Sequence, residues 1–257
     1  NRTENKSINV LDLIKYFLFH WKWIVLSVVV FVGFYYYQYS KTDLIYKQSQ
    51  TVMIKTPSNS RSTTITRSSG AFNSVNTANE ILQLKSKELM RKTIERSKAS
   101  ISYTKKVGLR YEELYLDSPL LIELDSSFSN KNFFFEMEPL EGNKVKLFNF
   151  NGQSESAEII VNTNSFVKTP VGSFKLTANT NFSPTLNKSI LVKKSATDGL
   201  VGYFLGNLNI KQMGDEAFLL QFSLDDSSPE RAAAVLNNLI YVYNEFTLED
   251  KNAIAIN

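Results

Sequence analysis

An uncharged stretch of 18 residues near the N-terminus, WIVLSVVVFVGFYYYQYS, occupies positions 23–40 between Lys22 and Lys41. A helix of this length covers roughly 27 Å, which is close to the thickness of the hydrocarbon core of a bilayer. Trp21 and Trp23 at one end, and four tyrosines at the other, are typical of the aromatic belts at the two membrane surfaces. The stretch therefore predicts a transmembrane helix over 23–40.

Three other interpretations of this stretch fit less well. A cleaved signal peptide has a shorter apolar core followed by small residues, whereas bulky tyrosines follow this one. A buried helix of a globular domain is disfavoured by the β-branched run Val28-Val29-Val30, and an interfacial helix would need a charged face. The orientation is open, because Lys15 and Lys22 precede the stretch and similar numbers of lysines follow it.

The N-terminal flank, residues 1–22, has a helical pattern of its own. Ser7 is a candidate N-cap, and apolar residues then recur at three- and four-residue steps at Ile8, Leu11, Ile14 and Leu18. We expect a short amphipathic segment that lies on the membrane and leads into the span.

The composition excludes many classes of function. The chain has no cysteine, which excludes thiolate chemistry, and a single histidine excludes a multi-histidine metal site within one chain. That histidine, His20, lies beside the most apolar stretch, so we expect no Ser-His-Asp triad in the rest of the chain. Neither a phosphate-binding loop nor a dinucleotide-binding glycine motif is present. The net charge of +4 is too diffuse for a nucleic-acid binder. The sequence therefore offers no catalytic, cofactor-binding or metal-ligating residue, and we expect no nucleic-acid partner.

The remaining residues, 41–257, predict an α+β domain, with a mixed sheet and packed helices. A strand over 45–55 precedes a polar loop over 57–79, and Thr77 with Glu80 forms a capping box for one helix ending near residue 97. The apolar face of this helix is predicted to consist of Ile81, Leu82, Leu89, Met90 and Ile94. Short apolar runs separated by turn residues over about 101–191 suggest an inserted β-rich subdomain. A short helix near 197–208, two strands and a long helix follow. Ser228 is the predicted cap of the long helix and Pro229 fits its first turn; its predicted apolar stripe is Val235, Leu236, Leu239, Ile240, Tyr243 and Phe246.

Two further patterns are ambiguous. The spacing of Gly199, Gly202 and Gly206 occurs in membrane helix dimers, but the apolar run is short, so we expect a helix packed closely on a sheet. The acidic pairs could supply glycosidase carboxylates, but we expect solvated surface at each of them. These pairs are Glu112-Glu113, Asp225-Asp226 and Glu249-Asp250.

Several segments in this order resemble the Wzz-type chain-length determinants. These are the ILDL-like N-terminal segment, the aromatic-flanked span and the pattern Y-x-x-x-x-x-V-x-I over 46–54. The segment EILQLKS over 80–86 is similar to a helix of that family, and the helix from Ser228 through Tyr243 is similar to its P-x-x-A-x-x-x-x-N-x-L-x-x-x-Y helix. The segment YEELYLDSP over 111–119 resembles the Bacteroidetes-type members fused to a Wzc-like tyrosine kinase.

The resemblance implies a polysaccharide co-polymerase that regulates the chain length, polymerisation or export of capsular polysaccharide or exopolysaccharide. It implies an inner-membrane anchor, cytoplasmic termini, a membrane-proximal periplasmic domain and assembly into a homo-oligomeric ring. The partners would be the bilayer, the polymerase and export machinery, and the growing glycan. Because the chain begins with Asn1 and ends at Asn257 without a second span or kinase, we expect a fragment. ATP and Mg²⁺ would be needed only by a missing kinase domain.

Two other classes remain open at this point. A sensor ectodomain would have a concave pocket with convergent polar groups and would form a dimer. An enzyme acting on glycans would need two facing carboxylates in a cleft.

Overall fold

A computed structural model describes residues 15–16, 19–53, 78–153, 158–179, 189–214 and 219–256. The chain divides into two compact units. The first comprises residues 1–43 together with 108–110, and the second comprises 44–107 and 111–257. Most of the predicted amphipathic segment, most of the polar loop and the proposed cap Thr77 lie outside the described residues.

The first unit contains helix α1, Trp21–Lys41, which has 21 residues and no buried side chain. Within the described part of the chain it is the one helix long and apolar enough to cross a membrane. The prediction of an apolar helix at this position is confirmed, and the helix extends slightly beyond 23–40 at both ends. It ends at Thr42, whose backbone is extended and whose hydroxyl donates to the carbonyl of Gln38 at 3.0 Å.

The second unit is a mixed α+β structure. Its helices are α2 over residues 78–84, α3 Lys87–Ser97, α4 Thr197–Asn207 and α5 Pro229–Ile256. Its first strands are β1 Tyr46–Met53, β2 Ile101–Val107, β3 Arg110–Glu113, β4 Leu120–Glu123, β5 Phe133–Leu140 and β6 Lys144–Phe148; Arg110 of β3 is assigned to the first unit. The later strands are β7 Ile159–Asn162, β8 Ser165–Thr169, β9 Gly172–Ala178, β10 Ile190–Lys194, β11 Leu208–Gln212 and β12 Leu219–Asp226.

One hydrophobic core joins the four helices α2–α5 to a small sheet ordered β1-β12-β11. Helix α5 packs on β1 and β12, and α3 contacts both α4 and α5. The apolar stripe predicted for the last helix is confirmed at Val235, Leu236, Leu239 and Tyr243, whereas Phe246 at the far end is 37% exposed. This core therefore depends on segments from both ends of the unit.

A second core lies among the strands between Ile101 and Val192. It is enclosed by a sheet ordered β3-β2-β10-β5-β6-β7 and by a smaller sheet ordered β4-β9-β8. Phe135 is fully buried at its centre, with ring centroids 5.6 Å from Phe150 and 5.3 Å from Phe174. Alternating apolar residues along these short strands supply this core, because successive side chains of a strand point to opposite faces.

The expectation of a mixed sheet is wrong for the described residues, where three separate sheets are found. The strands β12, β10, β6 and β9 each run antiparallel to both neighbours. Short turns such as Glu141-Gly142-Asn143 join β5 to β6 directly, and a tight turn can connect only antiparallel strands.

The helix predicted up to residue 97 is broken into α2 and α3. The break lies at Lys85 and Ser86, where the Ser86 hydroxyl accepts a hydrogen bond from the Leu89 N–H at 3.2 Å and caps α3. A serine at this position satisfies a free N–H group at the helix start, so a new helix begins there. Leu82, expected on the buried face, is 69% exposed, and Leu84 is buried instead.

The three glycines of α4 do not pack closely on a sheet, which corrects the expectation from their spacing. A Cβ atom added at Gly199, Gly202 or Gly206 would meet nothing within 4 Å. The close approach occurs at Gly172, at the start of β9, where φ is +131° and an added Cβ would lie 2.4 Å from the Phe128 ring.

We predict that Gly172→Ala destabilises the protein by about 2 kcal/mol or more, because the methyl group would push on a buried ring and the backbone conformation disfavours a side chain. Gly202→Ala is the matched control, since added helix propensity should raise stability by up to about 1 kcal/mol. Urea unfolding of the detergent-solubilised chain, followed by far-ultraviolet circular dichroism, measures both. Equal effects of the two substitutions would contradict the assigned contact.

Candidate functional site

The second unit contains a buried cluster of charges centred on Arg231 in the first turn of α5. Its guanidinium donates to both carboxylate oxygens of Asp226, from Nε and from Nη2, at 2.6 Å each, and its Nη1 lies 3.3 Å from Glu113 Oε2. The Asp226 and Glu113 side chains are 0% and 3% exposed. A bidentate guanidinium–carboxylate pair is among the stronger hydrogen-bonded arrangements in proteins.

The local sequence explains how these groups meet. Asp226 is the last residue of β12 and shares the inward face with Leu220, Phe222 and Leu224. Ser228 caps α5 by accepting from the Arg231 N–H at 3.1 Å, which confirms the predicted cap. Asp226 and Arg231 are therefore only five residues apart in the chain, one at the end of a strand and the other in the first turn of the next helix.

Glu113 comes from β3 and completes the cluster from the β-rich part of the unit. Its carboxylate accepts from the backbone N–H groups of Tyr103 and Tyr115 at 2.8 and 3.1 Å and from the hydroxyl of Ser102. Burial lowers the pKa of Arg231, but the hydrogen bonds and charge of Asp226, with the charge of Glu113, outweigh burial and raise it. The guanidinium therefore stays charged.

Two of the three acidic pairs do not behave as solvated surface. In each pair one residue points outward and the other inward, because neighbouring residues of a strand face opposite sides. Glu112 binds Lys105 at 3.1 Å and is exposed, whereas Glu113 is buried. Asp225 is half-buried and Asp226 is buried, while Glu249 is exposed as expected. The alternation through Leu220, Phe222 and Leu224 is the sequence signal that places Asp226 inside.

We predict that Asp226→Ala destabilises the protein by about 3–5 kcal/mol, because it leaves the Arg231 charge buried with part of its hydrogen bonding lost. The control is Glu245→Ala, whose ion pair with Arg96 at 3.3 Å is 43% and 46% exposed and should contribute less than about 1 kcal/mol. Urea unfolding at pH 7 compares the two variants. A small loss for Asp226→Ala would show that the buried pair is not a main source of stability.

Tyr115 adds a titratable hydroxyl beside this cluster. It donates to the carbonyl of Ser97, at the end of α3, and burial raises its pKa to about 12. Burial also raises the pKa of Tyr103, whose hydroxyl accepts from the Ile122 N–H at 2.9 Å. The folded state therefore holds both protons more tightly than the unfolded chain does.

From these shifts we predict a loss of stability at alkaline pH. The stabilisation by Tyr115 is complete below about pH 10, the pKa of an unfolded tyrosine, and is lost as the pH rises towards 12. Tyr115→Phe should lower stability at neutral pH but weaken its dependence on pH between 10 and 12. Urea midpoints measured across this range test the difference. An unchanged pH dependence in the variant would contradict the assignment.

A groove of about 370 Å³ lies in the second unit, beside Ile101, Ile122 and Phe128 of the second core. Glu95 of α3 and Lys98 line one side, and β4 and the short helical turn Ser126–Phe128 line another. Lys194 and Thr197 complete it from the end of β10 and the start of α4. Ser100, Ser126, Ser129 and Thr197 are also among its lining residues.

Lys194 is the unusual residue of this groove, because it is a lysine only 3% exposed. It occupies the inward face of β10 after Ile190 and Val192, and its Nζ donates to the carbonyls of Ser195 at 2.6 Å and Ser129 at 3.2 Å. Burial lowers its pKa, and the charge of Glu95 acts in the opposite direction. An ammonium group has three donors, and two carbonyls accept from it among the described residues.

The groove suits a hydroxyl-rich ligand. Its carboxylates, from Glu95, Glu123 and Asp125, belong to exposed residues and can accept from ligand hydroxyls, while its serines can donate or accept. Neither Glu113 nor Asp226 lines it. Within the described ranges, no group of three or more histidine, aspartate or glutamate side chains is placed to hold a metal ion.

Sequence reasoning did not select Lys194, although the alternation Ile190, Val192, Lys194 along β10 was available to find it. No protein-family model matches the chain, and the comparison with curated proteins finds no match.

Proposed function

We propose that this chain is the membrane-anchored part of a polysaccharide co-polymerase, which regulates the length or export of a surface polysaccharide from the periplasmic side of the inner membrane. The observation that carries the proposal is the hydrogen bond donated by the Tyr243 hydroxyl to the Glu80 carboxylate. Glu80 begins the segment EILQLKS and Tyr243 ends the similar segment of α5, so two motifs 163 residues apart are joined.

The same core supports the proposal more broadly. Val52 of β1, Leu84 of α2 and Leu239 of α5 belong to or pack against this core, and each comes from one of the three motifs. Each motif alone resembles the family only weakly, but in this chain all three motifs contribute side chains to one hydrophobic core. The strands between them have their own core, which is consistent with an insertion into a shared scaffold.

Two surfaces suit a scaffold that contacts other copies and a glycan. Tyr241, Phe246 and Leu248 of α5 remain 50%, 37% and 60% exposed, and apolar side chains of this kind are common in contacts between subunits. The groove at Lys194 offers hydroxyls and carboxylates to a polymer of sugars. The proposed mechanism is positioning: an oligomer would present many weak contacts to a growing chain, and these residues need not perform a chemical step.

Deletion of the gene in the source organism tests the proposal, with surface polysaccharide sized by gel electrophoresis. We expect a changed length distribution or a loss of surface polymer, restored by the wild-type gene. Lys194→Met should restore it less completely, because the variant keeps the buried stem but removes the ammonium group. A polysaccharide of unchanged amount and length in the deletion strain would overturn the proposal.

The second candidate is an extracytoplasmic sensor domain, and the groove is the observation that favours it. A concave site with convergent polar groups is what such a domain needs. The oligomeric state discriminates between the two, since a sensor should be a dimer and a co-polymerase a larger closed assembly. Analytical ultracentrifugation of the detergent-solubilised chain measures it, with Leu248→Glu expected to reduce the size of an assembly built on α5.

A further inference from the structure

The turn between β2 and β3 carries apolar side chains that nothing in the described structure covers. Val107, Leu109 and Tyr111 are 46%, 51% and 52% exposed, and they flank or lie within a two-residue turn. Gly108 has φ of +65°, so the turn uses a left-handed conformation that glycine adopts easily. Leu109 lies at the tip of this hairpin, and Val107 and Tyr111 lie on opposite faces behind it, so this patch is an apolar hairpin tip and not one flat face.

Arg110, at the first position of β3, fixes this turn against the end of α1 within the first unit. Its Nη2 donates to the carbonyl of Tyr39 at 2.9 Å and its Nε donates to that of Ser40 at 3.2 Å. The guanidinium also lies over the Tyr39 ring at 4.7 Å. A cation that binds the last free carbonyls of a helix stabilises its negative end.

The end of α1 is also the place where this helix would leave a membrane. Tyr35, Tyr36, Tyr37 and Tyr39 are all between 49% and 71% exposed, as tyrosines at headgroup depth would be. Lys41 follows them, with Nζ 4.3 Å from the Tyr37 ring centroid. A turn held at Tyr39 and Ser40 is therefore held at the level of the lipid headgroups if α1 spans the bilayer.

We propose that the β2–β3 turn is a membrane-contact site that inserts Leu109 among lipid headgroups beside the exit of α1. Its partner is the phospholipid surface, since exposed apolar residues flanked by cations match that chemistry. Lys106 is exposed next to the patch, and Arg110 and Lys41 lie at the helix end. The proposal rests on the anchoring helix of the proposed function and is independent of its polysaccharide activity.

The absence of native cysteine makes a direct test possible. Three single-cysteine variants of the full chain, Leu109→Cys, Phe166→Cys and Val29→Cys, are labelled with an environment-sensitive fluorophore and reconstituted in phosphatidylethanolamine–phosphatidylglycerol vesicles. Phe166 is the matched control, because it is an apolar residue of a hairpin strand and is 80% exposed. Circular dichroism verifies that each labelled variant keeps the wild-type fold.

We expect headgroup-linked nitroxide lipids to remove most of the fluorescence at position 109 and aqueous iodide to quench it weakly, with the reverse at position 166. Equal iodide quenching at 109 and 166, with the position 29 probe quenched by acyl-chain nitroxides, would overturn the membrane contact and leave the anchor intact. A position 29 probe that is open to iodide would overturn the anchor itself and the contact with it.

Discussion

The buried guanidinium of Arg231 is the interaction on which the second unit depends. It joins the first turn of α5 to the end of β12 through Asp226 and to the edge strand β3 through Glu113. One side chain thus connects the helix-covered sheet to the β-rich sheet. Both carboxylates are out of water, so losing the guanidinium would leave two buried negative charges without their cationic partner.

The groove lies where β4 and the turn Ser126–Phe128 meet α3 and the start of α4. The carbonyl of Ser129 accepts from Lys194 and from both the N–H and the hydroxyl of Thr197, so the turn at Ser126–Phe128 is held to the start of α4. Phe128 in turn lies against Gly172, where no side chain would fit. The groove is therefore built on packed elements, as a site that positions a ligand needs to be.

Much of the local structure could be predicted from the sequence. The apolar helix, most of the short strands and the last helix with its Ser228 cap follow from periodicity and capping, which depend on near neighbours. The break at Ser86 was missed, because a serine within a helical pattern is compatible with either a continuous helix or a new cap. The expectation that the three glycines of α4 pack closely on a sheet was wrong, because the spacing of glycines in a helix does not show which other element lies against them.

The sequence by itself determined that this chain has an apolar helix of membrane-spanning length, no thiol chemistry and an α+β remainder, because length, composition and periodicity decide these properties. Only the tertiary structure decided which charges are inside. Lys194, Arg231, Asp226 and Glu113 belong to residue types that are mostly exposed, and the strand alternation that places Lys194 and Asp226 on inward faces does not show which groups would pair with them. Their burial is possible because the fold brings them compensating partners. Glu113 lies 118 residues before Arg231 and Ser129 lies 65 residues before Lys194, and a linear pattern does not record such partners.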